Sequence, residues 1–280
     1  MLFLANGPGT SALTNEACNP FTIHYAYDTV AIARGTAGAM VKQGYKNWYF
    51  LAADYAFGAA LQRDAMTVIT AGGGRMIGSV KHPVGTSDFS AYLVQAQAAK
   101  PQIPGIANGG NDMINALKSI KEFGIDQNMK VASLLLFITD VHGMGLNDAG
   151  GLLFTTSWDW NLNDESRAFG RRFFAKTGRM PTDVQAADYS SVMTYLKTVR
   201  TLKTADSEKA MAYLTSTKLK DFYAEGFARA DGRYVHNMYL MQVKTPAESH
   251  QAWDYVKVVA TMPGDEVFTT KAETRCKLWQ

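Results

Sequence analysis

From residue 31 onward the chain switches between two hydrophobic periods. Residues 31–43 carry Ile32, Ala33, Ala37, Met40 and Val41 on one helical face, and Gly44 stands where a helix-ending glycine belongs. Trp48-Tyr49-Phe50-Leu51-Ala52-Ala53 is an unbroken apolar run, the pattern of a strand buried on both faces. The spacing predicts a helix over 58–71, closed by Gly72-Gly73-Gly74, and a short strand over 80–84. Ser87 is placed to cap a helix through Phe89, Leu93 and Ala96. Residues 104–107, 113–122 and 131–139 continue as strand, helix and strand. This alternation predicts an α/β fold, a parallel sheet flanked by helices. Ligands of such sheets sit at the carboxyl ends of strands. That singles out three loops: Asp54-Tyr55-Ala56-Phe57-Gly58, Asn108-Gly109-Gly110-Asn111-Asp112 and Thr139-Asp140-Val141-His142-Gly143.

After Gly150-Gly151 the pattern changes. Residues 155–163 are aromatic and polar, and two helices follow over 164–177 and 184–202, separated by Pro181. Tyr189, Val192, Met193, Tyr195, Leu196 and Val199 form an apolar stripe on the second, expected to face the core. Asp231-Gly232-Arg233 is a hairpin-type turn leading to a strand over 238–243. At the other end, residues 1–5 suggest a buried strand, Asn6-Gly7-Pro8-Gly9-Thr10-Ser11 a tight turn and Leu13-Thr14-Asn15-Glu16 a helix start. Together they would form an anion site, with backbone N–H groups and a helix dipole favouring negative charge. A core strand with a binding turn also suggests that the chain opens in mid-domain.

Composition adds bounds. The 280 residues are 47% hydrophobic and 19% charged, ordinary for a globular protein of one large or two smaller domains. The net charge of +3 is small and the basic residues are scattered, so nucleic acid is not an expected partner. No apolar run approaches the ~20 residues that span a bilayer, and residues 1–20 lack the Lys or Arg of an export signal. Cys18 and Cys276 are either two separate buried thiols or a disulfide tying the tail to the N-terminal region. The five histidines have no metal-ligand spacing. Neither a Gly-x-Ser-x-Gly elbow nor a Walker motif occurs, and Gly7-x-Gly9 lacks the later glycine of a dinucleotide fingerprint. No cofactor, metal or catalytic residue is therefore expected.

In order, the landmarks resemble one family. They are Gly9-Thr10-Ser11-Ala12-Leu13-Thr14, Tyr27-Asp28-Thr29, Asp54-Tyr55-Ala56-Phe57-Gly58, Thr86-Ser87-Asp88-Phe89-Ser90, Glu122-Phe123-Gly124, Thr139-Asp140-Val141, Pro181-Thr182 and Asp231-Gly232-Arg233 with Pro246-Ala247-Glu248-Ser249. The chain is similar to the periplasmic substrate-binding proteins of branched-chain amino-acid-type ABC transporters, in the branch taking up amino acids and aromatic carboxylates. The resemblance implies a type I periplasmic-binding-protein fold, two doubly wound α/β lobes joined by three crossings. Residues 1–26 and 157–230 would belong to lobe one and 27–156 to lobe two, with 231–280 a crossing strand and tail not assigned to a lobe. It implies a non-catalytic, periplasmic solute receptor whose partners are a small carboxylate and ABC permease subunits. The family's signal peptide and first lobe-one elements have no counterpart here, which predicts a first lobe incomplete at its N-terminus and an uncovered apolar edge. The competing classes are an α/β enzyme acting on a nucleotide or sugar-type substrate and a ligand-sensing module of the same fold.

A carboxylate receptor needs neutral donors, apolar walls and a group for the ligand's other end. Thr10, Ser11 and Ala12 are the candidate donors, although Ser11 or Thr14 could instead cap the following helix. Tyr55 and Phe57 are candidate walls. Trp158, with Trp160, would close the pocket or pack the crossing. Asp140, expected at the end of a buried strand, is the first candidate for a ligand ammonium, with Asn108 and Asp112 next. A carboxylate at position 140 could equally cap a local turn.

Overall fold

The computed structural model describes residues 1–279, and they divide into two compact units. Of the described residues, unit 1 comprises 1–28, 157–238 and 261–279, and unit 2 comprises 29–156 and 239–260. The chain thus changes unit four times, where the family resemblance implied three crossings. Residues 231–280, left without a lobe by the sequence, contribute to both units.

Unit 2 is built on a four-stranded parallel sheet in the order Arg75–His82, Asn47–Ala53, Ile103–Ala107, Ala132–Ser133. Asn47–Ala53 lies at its centre, paired on both edges, and its side chains from Trp48 onward are buried. Helices Ala56–Ala71, Ser90–Ala99 and Asn111–Glu122 connect the strands, the βαβ arrangement that the alternating periods predict. Tyr49, Leu51, Phe89, Leu93, Ile106, Met113, Leu117 and Ile120 form part of the core between sheet and helices. A second sheet places Met238–Val243 antiparallel to Leu153–Thr156, with Val256–Met262 on its other edge.

Two local expectations fail here. Ser87 does not cap the helix that starts at Ser90; Asp88, one residue outside its N-cap Phe89, accepts from the Ser90 N–H at 2.8 Å. The apolar run 131–139 is strand only at Ala132–Ser133, and Ile138–Met144 is helix. Asp140 favours that change: its carboxylate accepts from the Phe137 N–H at 3.0 Å, satisfying a backbone donor at the start of the helix.

Unit 1 pairs Phe3–Ala5 parallel with Thr22–His24. The expected helix after the first turn is a single 3-10 turn, Ser11–Thr14. It stops because Asn15 leaves helical geometry at φ −128°, ψ −116°, and the chain re-enters a strand at Thr22. The first strand is not buried as expected: Ala5 is, but Phe3 is 50% exposed. Helices Asp164–Thr177, Asp183–Leu202 and Ser207–Ser216 pack with a hairpin of Glu225–Ala228 and Tyr234–Val235. On Asp183–Leu202 half of the expected core stripe is outside: Tyr189, Val192 and Leu196 are exposed and Met193, Tyr195 and Val199 half-buried, while Ala186, Ala187, Ser190 and Ser191 are buried. Small residues win the inner face because that helix meets polar partners closely. Asn6 Nδ2 donates to Asp188 Oδ1 (2.7 Å) and Ser191 Oγ (3.0 Å), and Ser190 Oγ donates to Asp221 Oδ2 (2.7 Å).

The hairpin turn carries the centre of unit 1. Gly232 has φ +86° and a Cβ there would stand 2.2 Å from the Thr22 carbonyl oxygen, so only glycine fits. Its carbonyl accepts from the His24 N–H at 2.8 Å. The next residue, Arg233, is fully buried; it donates to the carbonyls of Tyr25, Ala26 and Tyr234, lies 3.6 Å from Asp28 and stacks on Phe268. His236, also buried, points Nε2 at the same Tyr25 and Ala26 carbonyls. Cys18 and Cys276 form a disulfide within this unit.

Burial, and then the Arg233 charge, depress the His236 pKa from its ordinary 6.5 to about 4. Unfolding restores the ordinary value, so between those values the unfolded chain binds more protons. Stability from this group is complete above pH 6.5 and is lost as pH falls toward 4. By linkage the loss at pH 5 is about 2 kcal/mol. Urea midpoints at pH 7 and pH 5 check this against His236→Gln, whose amide still donates but does not titrate. The variant's midpoint should fall less on acidification; equal falls would remove His236 from the account.

Candidate functional site

The strongest feature of unit 1 is the turn after Phe3–Ala5. Its carbonyls face inward: Tyr27 donates to the Gly7 oxygen (3.3 Å) and His24 Nε2 to the Pro8 oxygen (2.7 Å). A carbonyl only accepts, so His24 carries its proton on Nε2, and its Nδ1 is buried without a partner. Burial and the nearby Arg233 hold the His24 pKa well below the usual histidine value, so the ring is neutral. In a planar trans peptide the N–H points opposite to the C=O. With Pro8 C=O turned in, the Gly9 N–H is turned away from His24. Among the described residues neither the Gly9 nor the Thr10 N–H has a partner in the protein.

The candidate donors of this turn divide. Thr10 Oγ1 accepts from the Ala12 N–H at 3.4 Å, so Thr10 caps the 3-10 turn and Ala12 is engaged there. Ser11 is buried, as is Thr14. The helix dipole expected behind the turn is missing with the helix, and the anion-binding capacity rests on the adjacent N–H groups alone.

In unit 2 the carboxyl edge of the parallel sheet gathers several predicted residues. Ala53 pairs with His82 and Ala52 with Ala107, so the three strands end together and deliver Tyr55, His82 and Asn108 to one edge. Tyr55 is 48% exposed and its ring lies 6.0 Å from that of Phe57. Burial, and secondarily Asp112, raise the Tyr55 pKa, so the phenol stays protonated. Asn108 is fully buried; its Nδ2 lies 3.1 Å from His82 Nε2. His82 Nδ1 faces the Pro83 carbonyl at 2.9 Å and must donate to it, leaving Nε2 to accept from Asn108. The Asn108 Oδ1 is then a buried acceptor with no donor. Asp112 is committed, both oxygens accepting from the Gly85 N–H at 3.1 Å.

Two predicted site residues have other work. Asp140 caps its own helix rather than ending a strand. Trp158 is a core residue: its indole N–H donates to Ser166 Oγ (3.0 Å) and the Phe222 carbonyl (3.2 Å), and its ring sits edge-on to Phe169 and Phe222. His82 was missed because the expected strand ran over 80–84 with His82 at its middle, whereas the observed strand Arg75–His82 ends on it. Among the described residues no cluster of potential metal ligands occurs.

The periplasmic binding protein family matches residues 2–250. A search of curated proteins found no match. Among solved structures, the chain is similar to a periplasmic binding protein from Burkholderia mallei, with 55% identity and a TM-score of 0.98, covering 100% of this chain and 74% of that one. It is also similar to a branched chain amino acid ABC transporter periplasmic ligand-binding protein from Burkholderia xenovorans LB400, at 36% identity and TM-score 0.88, covering 100% and 75%. An amino acid ABC transporter substrate-binding protein from Pseudomonas fluorescens Pf-5 follows the same fold at 25% identity and TM-score 0.90, covering 99% and 74%.

The position of the Tyr55–Phe57 loop depends on Gly58, where a Cβ would stand 2.1 Å from the Ala53 carbonyl oxygen. Gly58→Ala must push the loop off the strand end, at a cost of about 1–3 kcal/mol. A denaturant midpoint unchanged by the substitution would show that this close approach is not required.

Proposed function

Because the chain belongs to the periplasmic binding protein family, we propose that it is the non-catalytic solute-binding component of an ABC uptake transporter, capturing a small carboxylate in the periplasm and handing it to membrane permease subunits. The observation that carries the ligand class is the turn with adjacent, unpartnered N–H groups at Gly9 and Thr10. Such a turn suits a carboxylate and needs no ionised side chain. Ser11 is kept in the proposed site as its neighbour in the same turn.

Tyr55 and Phe57 are the proposed walls for an apolar ligand body. Within unit 2 the orphaned Asn108 oxygen calls for a donor from a ligand, either an amino acid's ammonium or a phenol's hydroxyl. The naming of the Burkholderia xenovorans relative supports the amino-acid arm. Asp140 is not part of this proposal, since its carboxylate already serves Phe137.

A thermal-shift panel of L-leucine, L-isoleucine, L-valine, benzoate and 4-hydroxybenzoate tests the reading. At one hundred times Kd a ligand adds about 2.7 kcal/mol, raising Tm by roughly 5–10 °C for a chain of this size. The ligand should be recovered unchanged after incubation. Asn108→Ala should weaken binding about tenfold, the effect of one lost hydrogen bond in a buried site. Absence of any shift across the panel, or conversion of the ligand, would overturn the proposal.

A further inference from the structure

The turn that carries the Gly9 and Thr10 N–H groups is fixed at two places. Its front, residues 6–8, is held by Asp188, Ser191, Tyr27 and His24. Its back, residues 15–18, is held by the far end of the chain. Cys18 is bonded to Cys276, 258 residues away. The Arg275 N–H donates to Asn15 Oδ1, and the Arg275 guanidinium lies 3.6 Å from Glu16. Inside the turn, the Asn15 and Ala17 N–H groups both donate to the Ala12 carbonyl, at 3.1 and 2.9 Å, and Cys18 N–H donates to the Asn15 carbonyl at 3.1 Å. These bonds couple the back of the turn directly to Ala12, next to the proposed carboxylate donors.

The tail is itself anchored beyond the disulfide. The Arg229 guanidinium lies 3.9 Å over the Trp279 ring. Arg229 is held by both oxygens of Asp231, at 3.2 and 2.7 Å, and by the Thr269 carbonyl at 2.7 Å. Cys276 is fully buried, and its N–H donates to Thr274 Oγ1. The last residues therefore run as a strap from a rigid hairpin to the back of the turn.

We propose that this C-terminal strap positions the carboxylate-receiving turn, Cys276 acting through Cys18 and Arg275 through Asn15 and Glu16. The inference rests on the reading of that turn as the carboxylate site. Nothing in the strap touches the ligand; it keeps two N–H groups aligned, which lowers the ordering cost of binding. Loosening it weakens carboxylate capture while leaving the rest of unit 1 folded.

The test uses Cys18→Ser with Cys276→Ser, and separately Arg275→Ala and Trp279→Ala, which leave the disulfide in place. Hydrogen exchange without ligand is read first. Amides of residues 9–18 should exchange about tenfold faster in the variants, with Asp183–Leu202 unchanged. Calorimetric titration with L-leucine and 4-hydroxybenzoate is read second. The Kd of whichever probe binds should weaken about tenfold, and the loss should not extend to that probe's methyl ester, which has no carboxylate to align. Unchanged exchange across 9–18 overturns the strap, as does a rise spread evenly over the whole unit. Faster exchange with an unchanged Kd overturns its link to binding. If neither probe binds the wild type, the exchange result still decides the strap, and only the ligand reading fails. Should the double variant not fold, the Arg275 and Trp279 variants carry both readouts.

Discussion

Unit 1 depends on one buried guanidinium. Three separate stretches of chain make up this unit, and Arg233 touches all of them. From the middle stretch it reaches the Tyr25 and Ala26 carbonyls and the Asp28 carboxylate of the first, and it stacks 4.0 Å from the Phe268 ring of the third. A cation in a dry interior is costly unless it is paired and hydrogen-bonded. Burial lowers the Arg233 pKa to about 10, yet the group remains charged at neutral pH, with Asp28 the main counterweight. Both neighbouring histidines are neutral for the same reasons, burial first and the Arg233 charge second. One cation per cluster is what the environment tolerates. The proposed ligand turn inherits its position from this arrangement. Gly232 beside Arg233 fixes His24, and His24 fixes Pro8.

Much of the fold was legible because two hydrophobic periods are hard to confuse when they run long. Asn47–Ala53 and Asp164–Thr177 lie where the pattern put them. Short apolar runs were not legible. Residues 131–139 offer no period, and the choice between strand and helix fell to one hydrogen bond, from Phe137 N–H to Asp140. The start of the chain misled for a related reason. Leu13-Thr14-Asn15-Glu16 has the composition of a helix start, but the turn folds back on the Ala12 carbonyl and goes no further. The stripe on Asp183–Leu202 was misread because apolar periodicity identifies a helix without saying which face is covered. Ala186, Ala187, Ser190 and Ser191 are as periodic as Tyr189, Val192 and Leu196, and their small size admits closer neighbours. Tyr189 finds partial cover from Arg172, whose guanidinium lies 5.1 Å from its ring.

The site was legible to the level of loops and not of roles. Strand-ending loops of a parallel sheet are where ligands sit, so the pattern alone puts Tyr55, Phe57 and Asn108 forward for the proposed site. What each side chain does there depends on partners far away in sequence. Asn108 is informative because His82, 26 residues earlier, takes its N–H and leaves its oxygen unserved. Trp158 is left out of the proposed site because Ser166 and Phe222 take its indole donor. Asp140 and Asp112 are each satisfied by backbone N–H groups. Arg233, which organises unit 1, had only the signature of a hairpin turn in the sequence.

A receptor that must later release its cargo gains from this division of charge. An ionised side chain at the proposed ligand turn would attract a carboxylate strongly, but taking it out of water would carry a large desolvation cost that offsets the gain. Unit 1 does contain the cation, Arg233, but keeps it fully buried with Asp28 at 3.6 Å. The proposed turn offers peptide N–H groups instead, and that of Gly9 is fixed in direction by the inward Pro8 carbonyl. Affinity then depends on how well those groups are aligned, because each contributes modestly and only at good geometry. A site of this kind is sensitive to its mounting more than to its charge, and its mounting includes segments separated from it by nearly the whole chain: the Gly232–Arg233 turn behind it and the Cys276 strap at its back.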